Sequence, residues 1–179
     1  MKAGIQIALL RGINVGKANR VSMESLRELL SGLGFREVRT LLNSGNAVFE
    51  GAGAGKDAAG AIEKAMEKKL GLTCRVMVVS ATELAVIARE NSLVEIADNP
   101  SRLHVVVPFA RRDLARLRPL LEQPWGEERL AVGSAAAYLW CPRGVIESRL
   151  VKAVDRILGD SVTMRNWATV LKLKQMTGG

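Results

Sequence analysis

Histidine is almost absent from this chain: His104 is the only one in 179 residues. That excludes a metal centre built from several imidazoles of one chain. It also means that any Ser-His-Asp or Cys-His nucleophile would have to use His104. His104 lies in Leu103-His-Val-Val-Val107, which reads as a half-buried strand. Cysteine is scarce as well. Cys74 and Cys141 stand in apolar, strand-like stretches with no CxxC spacing, the pattern of two reduced, buried thiols in a cytoplasmic protein. Three Phe, one Tyr and three Trp are too few for the stacking platform of a single-strand nucleic-acid binder. No uncharged apolar run approaches the ~18 residues of a membrane span. The opening Met-Lys-Ala-Gly-Ile-Gln meets Arg11 too soon to read as a secretory signal, so no membrane partner is expected. No pair of carboxylates stands apart from helix-surface glutamates.

What is present is an ordinary globular balance, 48% apolar and 25% charged, in a chain of 19.3 kDa, enough for one domain or two small ones. The net charge is +8. Residues 1–56 carry eight basic and four acidic side chains, residues 57–100 five and seven, and residues 101–179 thirteen and seven. Both ends are therefore basic, a surface that concentrates polyanions and phosphorylated small molecules.

Periodicity divides the chain into two similar halves. Ile5–Leu10 is a short buried strand running into Arg11-Gly12. Ser22 reads as an N-cap with a Val21–Leu26 staple, and Met23, Leu26, Leu30 and Leu33 form one helix face. Val38–Leu42 and Ala47–Phe49 are strands joined by the turn Asn43-Ser44-Gly45-Asn46. Residues 51–56 read as a flexible Gly/Ala linker, Ala58–Leu70 as a helix and Arg75–Val79 as a strand. Ser80-Ala-Thr-Glu83 is a capping box that starts a connecting helix to about Glu90.

The second half repeats the order. Leu103–Val107 is a strand, Asp113–Leu121 a helix that Pro119 must kink or end, and Glu128–Val132 with Ala136–Cys141 a strand pair. Ile146, Leu150, Val154 and Ile157 mark a helix face, Ser161–Met164 a short strand, and Asn166 the cap of a last helix. The fold class expected is α+β: two ferredoxin-like β-α-β-β-α-β units in tandem, with a connecting helix and a C-terminal helix. The expected divisions are 1–79, a linker at 80–101, and 102–179.

This topology has a functional consequence. A right-handed crossover makes strands one and two of a unit parallel. The loop after strand one and the hairpin between strands two and three then share one end of the sheet. Those loops carry Arg11, Gly12, Asn14, Gly16 and Lys17 on one side, and Ser44, Gly45 and Asn46 on the other. Two cations, glycines that let a ligand approach the backbone, a hydroxyl and carboxamides make a candidate anion cradle. Arg165-Asn166-Trp167 is a further polar cluster, with Arg165 placed to meet an anion, Asn166 as a cap and Trp167 on the helix face.

Five motifs in order carry a resemblance: Leu9-Leu-Arg-Gly-Ile-Asn-Val-Gly16, Met23-x-x-Leu26, Gly34-Phe35-x-x-Val38-x-Thr40, Ser44-Gly45-Asn46-x-x-Phe49 and Arg165-Asn166-Trp167-x-Thr169-x-x-Lys172-Leu173. Together they resemble the bacterial family domain of unknown function 1697 over residues 5–176. Ser22 stands where the family often has proline, and Leu41-Leu42-Asn43 replaces a more usual Tyr-Ile-Gln-like stretch. The resemblance implies a compact α+β protein and brings no established activity, substrate or cofactor.

Other motifs fail on chemistry. Gly12-x-x-x-Gly16-Lys17-Ala18 is one spacer short of a phosphate loop and lacks its Ser/Thr. Gly51-Ala-Gly-Ala-Gly55-Lys56-Asp57 meets neither the spacing nor the metal ligand. The run Arg111-Arg112-x-x-x-Arg116-x-Arg118 reads as a solvated helix face or, alternatively, a polyanion groove. The residues thus favour a small anionic or phosphorylated ligand at the Arg11–Lys17 and Ser44–Asn46 end. The alternatives are nucleic acid on the basic surface, an enzyme acting on a phosphorylated metabolite, and a protein adaptor. No cofactor is indicated by any motif.

Overall fold

The structure is a computed structural model that describes residues 4–15, 19–51 and 55–178. It contains two compact units: residues 1–82 with 175–179, and residues 83–174. The first holds β1 (Gly4–Arg11), α1 (Met23–Gly32), β2 (Arg36–Leu41), β3 (Asn46–Gly51), α2 (Gly55–Leu70) and β4 (Arg75–Ser80). Its sheet is antiparallel with strand order β2-β3-β1-β4. Alternation puts Ala8 and Leu10 of β1, Ala47 and Phe49 of β3, and Val76 and Val78 of β4 on the face under the helices. There they pack with Leu26, Leu29 and Leu30 of α1 and Ile62 and Met66 of α2. Ser22 caps α1, its Oγ accepting from Ser25 N–H at 3.0 Å.

The second unit holds α3 (Ala81–Arg89, which begins just inside the first), β5 (Leu103–Pro108), a 3-10 segment at Arg111–Leu117, α4 (Arg118–Leu121), β6 (Arg129–Val132), β7 (Ala137–Trp140), α5 (Arg149–Leu158) and β8 (Val162–Asn166). Helix α6 (Trp167–Met176) closes the chain. Strand order is β6-β7-β5-β8, again antiparallel. Position for position this is the order of the first sheet, so the fold is a tandem pair of ferredoxin-like α+β units. No helix among the described residues is long and apolar enough to cross a membrane.

Four local expectations change. The linker expected at 51–56 is consumed at both ends, because Gly51 ends β3 and Gly55 opens α2. A Cβ at Gly55 would stand 2.7 Å from the Val78 carbonyl oxygen, so this glycine permits the close approach of helix and strand. The helix expected over 113–121 is divided just before Pro119 into a 3-10 segment ending at Leu117 and α4, and the proline sits in the first turn of α4, which has no use for the N–H that it lacks. Ile146 lies outside α5 and is 86% exposed. The helix starts at Arg149 because Ser148 Oγ caps Val151 N–H at 2.9 Å. Finally, Arg165 and Asn166 belong to β8, paired with Val105 and His104.

His104 is 8% exposed, and desolvation holds its imidazole below the ordinary histidine value. The unfolded chain therefore binds this proton more readily than the folded one. Stability is complete above the ordinary value, near 6.5, and falls as pH drops through it, by up to about 1.4 kcal/mol per pH unit. The midpoint of urea unfolding is expected to drop between pH 7 and pH 5, and His104→Gln to flatten that dependence. An unchanged slope in the variant would assign the acid sensitivity to other groups.

Candidate functional site

The loop after β1 and the β2–β3 hairpin meet at one end of the first sheet. Leu10 N–H donates to the Gly45 carbonyl at 2.8 Å, and Leu41 and Leu9 both pair with Asn46. The loop after β1 is held by Asn14. Its Nδ2 donates to the carbonyls of Val21 (2.9 Å) and Asn43 (2.7 Å), and its Oδ1 accepts from Val21 N–H at 2.9 Å. One carboxamide thus ties the start of α1 and the hairpin to the end of β1. Asn19 Nδ2 donates to the Gly12 carbonyl at 3.0 Å. Asn46 is fully buried, and its Nδ2 donates to Leu41 O (2.9 Å) and Ser44 Oγ (3.0 Å). The carboxamides of Asn14 and Asn46, expected from sequence to face a ligand, hold the two loops in place. Gly16 and Lys17 lie outside the described residues.

The rim is conformationally unusual. Gly12, Asn14, Asn19, Leu42 and Gly45 all have positive φ, between 52° and 81°. Asn tolerates this region, whereas Leu42, half exposed, is a steric outlier. Left-handed residues supply half of the backbone alternation from which N–H nests for anions are built. Strain of this kind gathers where the surroundings over-determine the backbone, often at ligand sites. Gly12 and Ser44 are both exposed.

Sequence reasoning missed one rim residue. The β1–β4 register sets Arg75 directly opposite Arg11. Odd-numbered positions of both strands leave the face opposite the helices, so the two arginines share that face at the loop end of the sheet. No local signal marks Arg75, because its place follows from an antiparallel register across more than 60 residues of chain.

Arg165, Asn166 and Trp167 belong to the second unit. Asn166 Oδ1 accepts from Thr169 N–H (2.9 Å) and Oγ1–H (2.7 Å), capping α6, and Trp167 is buried. Arg165 Nη1 donates to Thr163 Oγ1 at 3.0 Å and to Met164 O at 2.9 Å, and burial lowers the guanidinium to about 10. Capping and packing account for Asn166 and Trp167. In the arginine run, Arg111 pairs with Glu83 at 2.6 Å, and Arg116 reaches Asp113 and the Ile157 carbonyl. Two of its four cations are thus internally engaged.

The second unit shows what its own hairpin tip can hold. Between β6 and β7, Ser134 N–H (2.8 Å) and Oγ–H (2.8 and 3.0 Å) donate to the Glu90 carboxylate. These bonds keep Glu90 below the usual carboxylate range. A Cβ at Gly133 would come within 2.7 Å of Glu90 Oε2. This tip is the topological counterpart of Asn43–Gly45, and it grips an anion supplied by the chain itself.

The model of the protein-of-unknown-function family DUF1697 matches residues 4–138. The chain belongs to the DUF1697 family. The match takes in the first unit from Gly4 to Thr82, with its rim, and the second as far as Tyr138 in β7. A solved structure, the conserved bacterial protein SP0830 from Streptococcus pneumoniae, superposes with a TM-score of 0.79 at 21% identity, covering 98% of this chain and 99% of that one. The likeness shows that this DUF1697 protein and SP0830 share a fold. No curated protein matches the chain.

Proposed function

We propose that the rim of the first unit binds a small anionic or phosphorylated ligand in the cytoplasm. The observation that carries this reading is the pairing of Arg11 with Arg75 at the end of the sheet where both left-handed loops converge. Arg11 and Arg75 are cross-strand neighbours in this register, and a phosphate at that end would draw charge-assisted contacts from guanidinium groups of both strands. Gly12 and Ser44 are exposed on the two loops, and the sequence adds Gly16 and Lys17 a few positions after Arg11. Asn14 and Asn46 act as positioning residues. The carboxylate held by Ser134 in the counterpart hairpin supports the same chemistry. Two free, buried thiols support the reducing compartment.

The test is a thermal-shift screen over inorganic phosphate, phosphosugars, nucleotides and oligonucleotides. A ligand at 100 times its Kd adds about 2.7 kcal/mol, a rise of roughly 5–10 °C for a chain of this size. Arg75→Glu is expected to weaken that ligand by about tenfold or more. Silence across the phosphorylated compounds refutes the reading. Oligonucleotide affinity that falls steeply with salt would replace it with nucleic-acid binding.

A further inference from the structure

Strand β6 lies at an edge of the second sheet, with β7 on one side and no strand of that sheet on the other. Gly133 N–H donates to the Ala136 carbonyl at 2.8 Å. Hydrogen-bonded pairs alternate along an antiparallel ladder, so Ala131 and Arg129 turn their N–H and C=O groups toward Tyr138 and Trp140. Leu130 and Val132 turn theirs outward, and neither backbone has a hydrogen-bond partner on that side among the described residues. Such an edge is a template for another strand. Its counterpart in the first sheet, β2, is blunted. The β2–β3 register shifts between Arg36 and Arg39, and Glu37 stands at φ 50°. A bulge and charged side chains are devices against edge pairing. Strand β6 pairs with β7 without a break from Arg129 to Val132.

The groups flanking this edge are complementary to themselves under a two-fold axis. Antiparallel pairing of two β6 strands about Ala131 sets Leu130 of one copy against Val132 of the other, where the outward amides bond. It sets Arg129 against Gly133, one of the closer, non-hydrogen-bonded pairs. The Glu90 carboxylate lies over Gly133, since a Cβ there would stand 2.7 Å from Oε2. Directly opposed positions share a face, with Cβ atoms about 5 Å apart, so Glu90 falls within reach of the guanidinium from the other copy. Among the described residues Glu90 Oε1 accepts only from the Ser134 hydroxyl, which leaves it a lone pair. Arg129 is exposed and donates only to the carbonyls of Gly126 and Glu128, so no carboxylate of its own chain competes. On the other face Leu130 and Val132 are half-buried against the core of the second unit, and pairing covers more of both.

We propose that this edge is an interface between two copies of the chain. Strand β6 pairs antiparallel with β6 of a second copy, joining two four-stranded sheets across an axis at Ala131, with Arg129 of each copy paired to Glu90 of the other. A second copy is the occupant that satisfies both charges at once, whereas an unrelated extended peptide would gain only the backbone bonds.

The experiment combines sedimentation equilibrium of the full chain, up to about 1 mM, with oxidative cross-linking of single-cysteine additions. At the axis the two 131 positions form a non-hydrogen-bonded pair with Cα atoms about 4.5 Å apart, inside the span of a disulfide. Cys74 and Cys141 are buried and stay out of the reaction. Ala131→Cys is expected to give a covalent dimer. Arg129→Cys, about 13 Å from its own copy in this register, is expected not to. Val132→Pro removes an outward N–H and leaves the β6–β7 ladder whole. It is expected to weaken the dimer about tenfold or more, with the melting temperature as the check on folding. Arg129→Glu, which brings like charges together at the exposed position, is expected to lose a similar factor. A monomer over the whole concentration range overturns the proposal. So does equal cross-linking of the two cysteine variants, or a dimer that neither Val132→Pro nor Arg129→Glu weakens.

Discussion

Replacing Asn14 by Asp is expected to lower the stability of the first unit by about 2–4 kcal/mol, through two lost hydrogen bonds and a carboxylate turned on two carbonyls. The substitution is nearly isosteric, and Asp tolerates the left-handed backbone at this position (φ 54°). Val21 N–H would keep its acceptor. The two Nδ2 donors, at 2.9 Å from Val21 O and 2.7 Å from Asn43 O, would become a charged acceptor facing two carbonyls. The melting temperature should fall by roughly 5–15 °C, and lowering the pH should recover part of the loss, because a protonated carboxyl can donate again. Asn14→Gly separates the terms, since it keeps the backbone geometry and loses every bond. A melting temperature within a degree or two of the parent for Asn14→Asp would show that the clamp carries no weight. The result also governs how any binding defect is interpreted. An inactive Asn14→Ala variant reports a loosened rim as readily as a lost ligand contact, which is why Arg75 is the cleaner probe.

Gly45→Ala carries the second large effect. Gly45 has φ 80°, and a Cβ there would stand 2.6 Å from Ile13 Cδ1 and 2.9 Å from Leu10 Cβ. The Ile13 side chain can swing away, but Leu10 Cβ cannot without moving β1. Left-handed strain and overpacking together should cost about 2–4 kcal/mol. Gly12→Ala supplies the control. Its φ is 81°, with nothing within 4 Å of the added methyl, so only the backbone term of about 1 kcal/mol applies. Urea unfolding of the two variants measures the difference. Equal losses would mean that the hairpin does not press on β1 as the contacts indicate.

Much of the molecule is legible along the chain because its signals are local. The Ser22 cap and the Gly159 stop are set by side-chain-to-backbone bonding and by a backbone conformation that favours glycine, and both stand where the periodicity predicts them. Sheet order follows from the repeated β-α-β-β-α-β pattern and the handedness of its crossovers. Where the reading slips, a nearby competitor prevails. Ile146 fits the apolar spacing of α5, but the Ser148 cap starts the helix after it. Pro119 divides the expected helix, and the second piece takes the proline into its first turn. Gly51 and Gly55 resemble a linker, yet each lies in an element where side-chain room is short.

Composition and periodicity along the chain decide that two ferredoxin-like units form and that two glycine-bearing bends share a rim, since handedness and alternation act over a few residues at a time. Neither can decide what the polar groups on those bends do. The fold alone shows which carbonyls Asn14 and Asn46 bond, and the register alone sets Arg75 across from Arg11. Hydrogen-bond satisfaction and cross-strand neighbourhood depend on atoms brought together from distant parts of the chain, and only the folded backbone places them.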